Sequence, residues 1–212
     1  RVSTHLGRKI PTRTIFDSPV LAQFAARTAT PPANAFDIAM QRPANTARDD
    51  AGEEHILPAT SAQQALWYVE SLTGARSSYH IAQSILLEGP VDESALARAL
   101  EFVASRHDVL RARFIERNTE LRVAVRETLS SPLVVMPVAG DPLEEANRFA
   151  QAPFDLGQAP LWRAGLLSGP GDTRRLVLVL HHIIADGWSL GVLAREIGMA
   201  YSALRLSGEP DL

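Results

Sequence analysis

The chain has 212 residues, 46% of them hydrophobic, which suits one substantial core with a smaller appendage and makes one main domain the default. Its formal net charge of -3 provides no positive field for nucleic acid or anionic lipid, and the lack of cysteine excludes a disulfide framework, a thiolate metal site and a cysteine nucleophile. The charge suits a small or protein-borne substrate rather than nucleic acid, and the absence of cysteine suits a cytoplasmic location; no apolar run approaches a membrane span and no basic-then-apolar secretory pattern opens the sequence, so no membrane partner is expected.

In chain order, Ser18 is placed to cap a short helix over 19–28 whose first residue is Pro19, a segment too small to fold alone. Residues 29–54 shift to Ala, Pro, Asn, Asp and Arg, with Pro31, Pro32 and Pro43, and read as a linker. A mixed domain is expected over 55–212. Ser61 with Gln64 makes a capping box, Ala62, Ala65, Leu66, Val69 and Leu72 follow helical spacing, and Gly74 stops a helix over 61–73. A strand follows over 79–87, ended by Gly89 and Pro90, and Asp92 caps a second helix that turns Leu96, Leu100 and Val103 to a core. Strands are expected over 110–115, 121–126 and 133–138, the first two joined by a polar turn over 117–120, and a helix over 142–151. Segments 161–167 and 174–180 read as a hairpin whose second strand is apolar enough to be central. Ser189 is placed to cap a last helix carrying Leu190, Leu193, Ile197, Tyr201 and Leu204, with Gly208 as its stop.

The chemistry-bearing residues sit where that central strand ends. His181 and His182 follow it directly, and successive side chains on a strand point to opposite faces, so one of them faces a given cleft. A histidine with an ordinary pKa of about 6.5 suits proton handling near neutrality. Asp186 can order the loop by pairing with an arginine or by accepting N–H bonds from Trp188 or Ser189, and Gly187 can supply an unusual φ or let a substrate approach the backbone. Two other readings compete on these residues alone. A histidine in such a place is often a hydrogen-bonded structural residue, and a His-His-x3-Asp cluster can ligate a metal, although no third ligand is evident and His5, His55, His80 and His107 lack ligand-type spacing.

Residues 180–189, Leu-His-His-Ile-Ile-Ala-Asp-Gly-Trp-Ser, closely resemble the His-His-x3-Asp-Gly core motif of the condensation domains of nonribosomal peptide synthetases. Ser61-Ala62-Gln63-Gln64-Ala65-Leu66-Trp67 is similar to that family's first motif, and 106–114, from Arg106 and His107 through Arg111 to Phe114, to its second, Arg-His-Glu-x-Leu-Arg-Thr-x-Phe. Pro153-Phe154-Asp155-Leu156 with Ala159-Pro160-Leu161-Trp162-Arg163 is similar to the segment leading into the histidine strand. A short histidine motif recurs by chance, and three motifs in register are what make the resemblance specific.

The resemblance implies an α/β (α+β) fold, the chloramphenicol-acetyltransferase-like N-terminal lobe of a condensation domain, with a mixed sheet flanked by helices. It implies an acyltransferase that joins an acyl or peptidyl thioester on an upstream peptidyl carrier protein to the amine of an aminoacyl group on a downstream carrier. His182 would be the catalytic histidine, as general base or positioning group, while His181, Asp186 and Gly187 would shape the loop, Trp188 and Ser189 would lie beside substrate, and Arg106, His107 and Arg111 would be structural. No cofactor or metal is implied for the lobe itself, since phosphopantetheine arrives on the carriers. The adenylation domain of the same assembly line and a C-terminal lobe are the other implied partners. The family's later motifs do not follow before Leu212, so the 212 residues are expected not to catalyse alone. Ala65 stands where the first motif often has arginine, and Asp108 and Ala112 are milder departures in the second.

Residues 6–11, 14–19 and 20–25 resemble the last helices of a peptidyl carrier protein, making 1–28 its C-terminal remnant, 29–54 a linker and 55–212 the lobe. A tail that caps the linker is the other reading of the first segment. Two alternative functions also stand: a noncatalytic carrier-binding module, and a related acyltransferase with a diffusible acyl donor. Trp67 and Trp162 are expected as core or lobe-surface anchors, and Arg106, Arg111 and Arg113 as ordinary surface partners of nearby acids, with a carrier-docking patch as the other reading. Trp188-Ser189 and 78–81 most resemble domains that join two L-configured residues.

Overall fold

The structure, a computed structural model, describes residues 47–48, 54–74, 77–169, 173–206, 208 and 210. All lie in the second of the two units into which the chain divides, Asn45–Leu212. The carrier-like segment 1–28 and its helix therefore lie outside the described residues.

Two four-stranded sheets form. The first contains β1 (Ala47–Arg48), β2 (Glu54–Pro58), β4 (Ala112–Arg117) and β5 (Glu120–Arg126) in the order β1-β2-β5-β4, antiparallel throughout. β1 and the first residue of β2 fall within 29–54, the stretch read as linker from its composition. The turn between β4 and β5 is Asn118-Thr119, both with positive φ (52° and 64°), which matches the right-handed twist of a two-residue hairpin.

The second sheet contains β3 (His80–Leu87), β6 (Leu133–Pro137), β7 (Trp162–Ser168) and β8 (Arg174–His181) in the order β3-β8-β7-β6. It is mixed, because β6 runs parallel to β7 while the other pairs are antiparallel. A parallel pair needs a crossover, and α3 (Pro142–Gln151) supplies it. β8 is central as expected, and its residues from Leu176 to His181 are all buried.

Three further helices complete the fold: α1 (Ser61–Thr73), α2 (Glu93–Arg106) and α4 (Gly187–Arg205). α2 and α4 pack against each other, with Leu96, Leu100 and Val103 of α2 and Leu190, Leu193 and Ile197 of α4 in one core with β7 and β8. Each wholly buried leucine there, such as Leu100 or Leu178, contributes about 2 kcal/mol. The Tyr201 hydroxyl of α4 accepts the N–H of Asp92 at 3.0 Å, fixing one helix start against the other helix.

Several local expectations need correction. The capping box of α1 is Thr60 with Gln63, not Ser61 with Gln64: Thr60 Oγ1 accepts the Gln63 N–H at 3.2 Å and Gln63 Oε1 accepts the Thr60 N–H at 2.9 Å. Thr60 has the extended backbone of a cap, whereas Ser61 is already helical. The last helix is capped by Asp186, one turn before the expected Ser189, which is its reciprocal partner. Residues Asp108–Arg111 form a 3-10 turn where a strand was expected to begin at Leu110, since the Leu110 N–H bonds back to the His107 carbonyl at 3.0 Å. Gly74 stops α1 with φ 64°, as its position predicts.

Candidate active site

β8 ends between two neighbours that hold its last peptides from opposite sides. The His181 N–H donates to the Leu161 carbonyl at 2.9 Å, and the His182 N–H donates to the Tyr79 carbonyl at 2.7 Å. The chain then turns, closed by the Ile184 N–H on the His181 carbonyl at 3.0 Å. At the strand end the two histidines differ: His181 is 0% exposed and His182, the first residue of the turn, is exposed.

His181 is buried and hydrogen-bonded within the chain. Its Nδ1 accepts the Ile183 N–H at 3.1 Å, so the proton of the neutral ring lies on Nε2. That nitrogen is 2.7 Å from Glu70 Oε2 of α1, a close contact without the alignment of a full hydrogen bond. Burial, helped by the neighbouring His80 and His182, holds the His181 pKa down to about 4, so the ring is neutral near pH 7. His80 stands edge-on to it at 5.9 Å between ring centroids, and Phe154 packs against both rings at 4.9 and 6.3 Å. The guanidinium of Arg163 lies 4.2 Å over Phe154 and donates to the Phe149 carbonyl from Nη2 at 2.9 Å. The segment leading into the histidine strand thus supplies the packing under the histidines.

His182 opens onto a groove of about 540 Å³ lined by Ala62, Gln63, Ala65, Leu66 and Val69 of α1 together with Tyr79 and Ile183. Its ring makes no hydrogen bond within the chain among the described residues, which leaves both ring nitrogens available to a substrate. The apolar stripe of α1 borders this groove. Val69 is 41% exposed and Leu72 76%, while Glu70 is the one α1 residue that is buried, so helical spacing found the stripe but the stripe is not the packed face. Ala65 faces the groove at the position where the resemblance led one to look for arginine.

The loop after His182 is held by its own residues. Asp186 Oδ1 accepts the Ser189 N–H at 2.8 Å and the Ser189 hydroxyl at 2.7 Å, and Ser189 Oγ accepts the Asp186 N–H at 3.3 Å. These bonds, the Ser189 hydroxyl first, lower the Asp186 pKa, and the resulting carboxylate sits at the start of α4 where the helix dipole favours it. Of the two expected roles the carboxylate takes the N–H-accepting one. Gly187 has no positive φ, so that expected role is not the one it plays; a Cβ there would meet nothing within 4 Å, leaving the backbone open to approach. Trp188 is 83% exposed and forms the lip of a separate apolar cleft of about 180 Å³ with His107, Val109, Leu110, Ile184 and Ala185.

The residues of the second motif make contacts within the chain. Arg111 is buried and its guanidinium donates to the carbonyls of Ala104, Arg126 and Glu127 and to Asp108 Oδ1, the last at 2.6 Å, tying the end of α2 to the end of β5. His107 Nε2 is 2.6 Å from Glu196 Oε2 of α4, with Arg106 Nε 3.8 Å from the same oxygen. Arg113 grips Glu54 through Nε and Nη2 at 2.9 and 2.7 Å, and that bond is the main cause of the lowered Glu54 pKa. Each of the three arginines has an acid partner, but Arg111 departs from the ordinary surface pair expected, since it is buried and bonds mainly to carbonyls. Trp162 is wholly buried with Nε1 donating to the Leu110 carbonyl at 3.0 Å, and Trp67 is half-buried against the core.

Sequence reasoning missed Glu70, Tyr79 and Phe154 as neighbours of the histidines, and Glu196 as the partner of His107 and Arg106. Glu196 carried a readable signal, an acid three residues after Leu193 on the core stripe of α4. Glu70 carried none, because it lies off the apolar stripe of its helix. Among the described residues no group of three or more histidines, aspartates and glutamates is arranged to hold a metal, and His181 and His182 face opposite sides.

Comparison with known proteins bears on this geometry. The sequence model of the family described as Condensation domain matches residues 53–212. Malpinin synthetase of Mortierella alpina is 34% identical over 215 residues, covering 99% of this chain, and tyrocidine synthase 3 of Brevibacillus parabrevis is 32% identical over 206 residues, covering 97%. The chain spans about 3% of the length of each of these two relatives. Among solved structures, the starter condensation domain of rhizomide synthetase is similar with a TM-score of 0.65 and 25% identity, over 74% of this chain and 40% of that one. The mixed sheet flanked by helices is thus the chloramphenicol-acetyltransferase-like architecture that the motifs implied. Since the family match takes in the whole histidine strand, its loop and both preceding motifs, the chain belongs to the condensation-domain family.

Proposed function

We propose that this chain provides the histidine-bearing part of an acyltransferase that forms peptide bonds in nonribosomal peptide synthesis. The observation that supports it most is His182: an exposed imidazole on a backbone clamped from both sides, at the edge of an apolar groove. An acyl or peptidyl group enters as a thioester on an upstream carrier protein, and the α-amine of an aminoacyl group on a downstream carrier attacks its carbonyl. The C–N bond forms, the C–S bond breaks, and the amine proton passes to His182 and then to the departing thiolate, or directly to that thiolate while His182 orients the amine. His181 is neutral and hydrogen-bonded, which suits it to holding the turn. Asp186 and Ser189 lock the loop, and the open space over Gly187 leaves room for the phosphopantetheine-borne substrate.

In this reading residues 1–28 are a carrier-protein remnant, 29–54 a linker and 55–212 the N-terminal lobe, working with a C-terminal lobe, two carriers and an adenylation domain. No described helix is long and apolar enough to cross a membrane, in keeping with work in the cytoplasm. The test is to present the full-length protein with an acyl donor either on its upstream carrier or as a free coenzyme A thioester, and to follow amide product by mass spectrometry. Product from the carrier-borne donor, at a rate well above that from the free thioester, is expected. Efficient use of the free thioester would replace this reading with a diffusible-donor acyltransferase, and carrier binding without product would make the chain a docking module.

A further inference from the structure

We infer that Gln63 of α1 is a positioning residue for His182, holding the turn that carries the imidazole at a set distance from one wall of its groove. The inference rests on the acyl-transfer reading above for the consequence, and on hydrogen bonds for the link. The two polar ends of the Gln63 amide serve two elements. Oε1 accepts the Thr60 N–H at 2.9 Å within the capping box of α1, and Nε2 donates to the Ile183 carbonyl at 3.4 Å, 120 positions further along the chain. The Thr60 N–H can only donate and the Ile183 carbonyl can only accept, so one orientation of the amide satisfies both.

His182 and Ile183 are the central pair of the turn closed by the Ile184 N–H on the His181 carbonyl. The N–H groups of that pair are engaged by the sheet, His182 on the Tyr79 carbonyl at 2.7 Å and Ile183 on His181 Nδ1 at 3.1 Å. The Ile183 carbonyl is what Gln63 takes. Ile183 is 4% exposed, and a carbonyl without a partner beside so buried a side chain carries the desolvation cost of an unmade bond, which favours keeping α1 close. The bonds to Tyr79 and His181 hold the turn to its own sheet, whereas the bond from Gln63 joins it to the helix that lines the groove with Ala62, Ala65, Leu66 and Val69. It therefore sets the gap between the imidazole and that wall. At 3.4 Å it is a long hydrogen bond, so its effect is one of alignment, worth about tenfold in rate rather than thousands. Capping alone does not call for the amide nitrogen. A carboxylate at position 63 would accept the Thr60 N–H equally well and would suit a helix N-terminus, but it could not donate to Ile183.

The test compares three variants at pH 7 by thermal unfolding and by the carbonyl 13C resonance of Ile183 in this chain, and by carrier binding and single-turnover peptide formation in the full-length protein. Gln63→Glu is expected to keep the melting temperature, to move the Ile183 carbonyl resonance upfield, and to lower the single-turnover rate by about tenfold with carrier binding unchanged. Gln63→Met, which has neither donor nor acceptor and no charge, is expected to lose rate to the same extent and melting temperature as well. Thr60→Ala weakens the cap and leaves the bond to Ile183, so it is expected to lower the melting temperature while the rate stays within about twofold of wild type. A wild-type rate in Gln63→Met would assign the loss in Gln63→Glu to its charge and overturn the inference. A rate loss in Thr60→Ala as large as in Gln63→Glu, or an unmoved Ile183 resonance in Gln63→Glu, would overturn it too. Absence of turnover in the wild type would overturn the acyl-transfer reading instead, because the Ile183 resonance reports the link without it.

Discussion

His107 Nε2 lies 2.6 Å from Glu196 Oε2, joining the residue that ends α2 to the middle of α4. The two helices pack against each other, and α4 begins with the Asp186 cap of the loop that follows the histidine strand, so this contact holds the helix that the loop leads into. Glu196 is buried, and removing it leaves His107 and Arg106 without their shared acceptor.

Glu196→Ala is accordingly expected to lower stability by about 1–3 kcal/mol in urea unfolding, with Glu196→Gln recovering part of the loss. A cycle with His107→Ala should show coupling above about 0.5 kcal/mol; strictly additive losses would mean the two residues do not work together.

Trp162 pins the start of β7 to the 3-10 turn of the second motif through Nε1 and the Leu110 carbonyl. Truncating a wholly buried indole leaves a cavity and an unsatisfied carbonyl, so Trp162→Ala is expected to cost about 3–5 kcal/mol. Trp162→Phe, which keeps most of the packing and loses the hydrogen bond, should cost visibly less. Equal losses in the two variants would show that the hydrogen bond rather than the volume dominates.

His181 makes stability depend on pH. Its folded pKa is about 4, against about 6.5 for a free histidine, so between those values the unfolded chain binds the proton and the folded chain does not. The full stability is present above about pH 6.5 and falls as pH drops toward 4, by up to about 3 kcal/mol from this residue. His181→Asn keeps an acceptor for the Ile183 N–H but cannot protonate. Unfolding free energies measured from pH 7 to pH 4.5 should fall less steeply in that variant, and parallel curves would assign the pH dependence elsewhere.

Much of the lobe was legible from local chemistry. The limits of α1 and α3, the central place of β8 and the cap at Asp92 follow from turn residues, capping side chains and apolar spacing, all of which act within a few residues. The choice between Thr60 and Ser61 as cap was not legible, because each is a hydroxyl residue with glutamine three positions on; the extended backbone at Thr60 decides it. Nor was the 3-10 turn, which depends on Arg111 collecting carbonyls from two other elements. At the site, alternation along the strand separated His181 from His182 without saying which was buried. That follows from Glu70 and Phe154, contributed by segments that only the tertiary fold brings to His181.

The most direct measurement for the whole account is single-turnover peptide formation by the full-length protein carrying His182→Ala, with both carriers loaded and carrier binding measured in parallel. His182 is exposed and is held just past the strand end by its backbone N–H on the Tyr79 carbonyl, so folding and carrier binding should persist while the rate falls by about 10²–10⁴. Peptide formation at the wild-type rate would contradict the central claim that this imidazole serves the reacting amine.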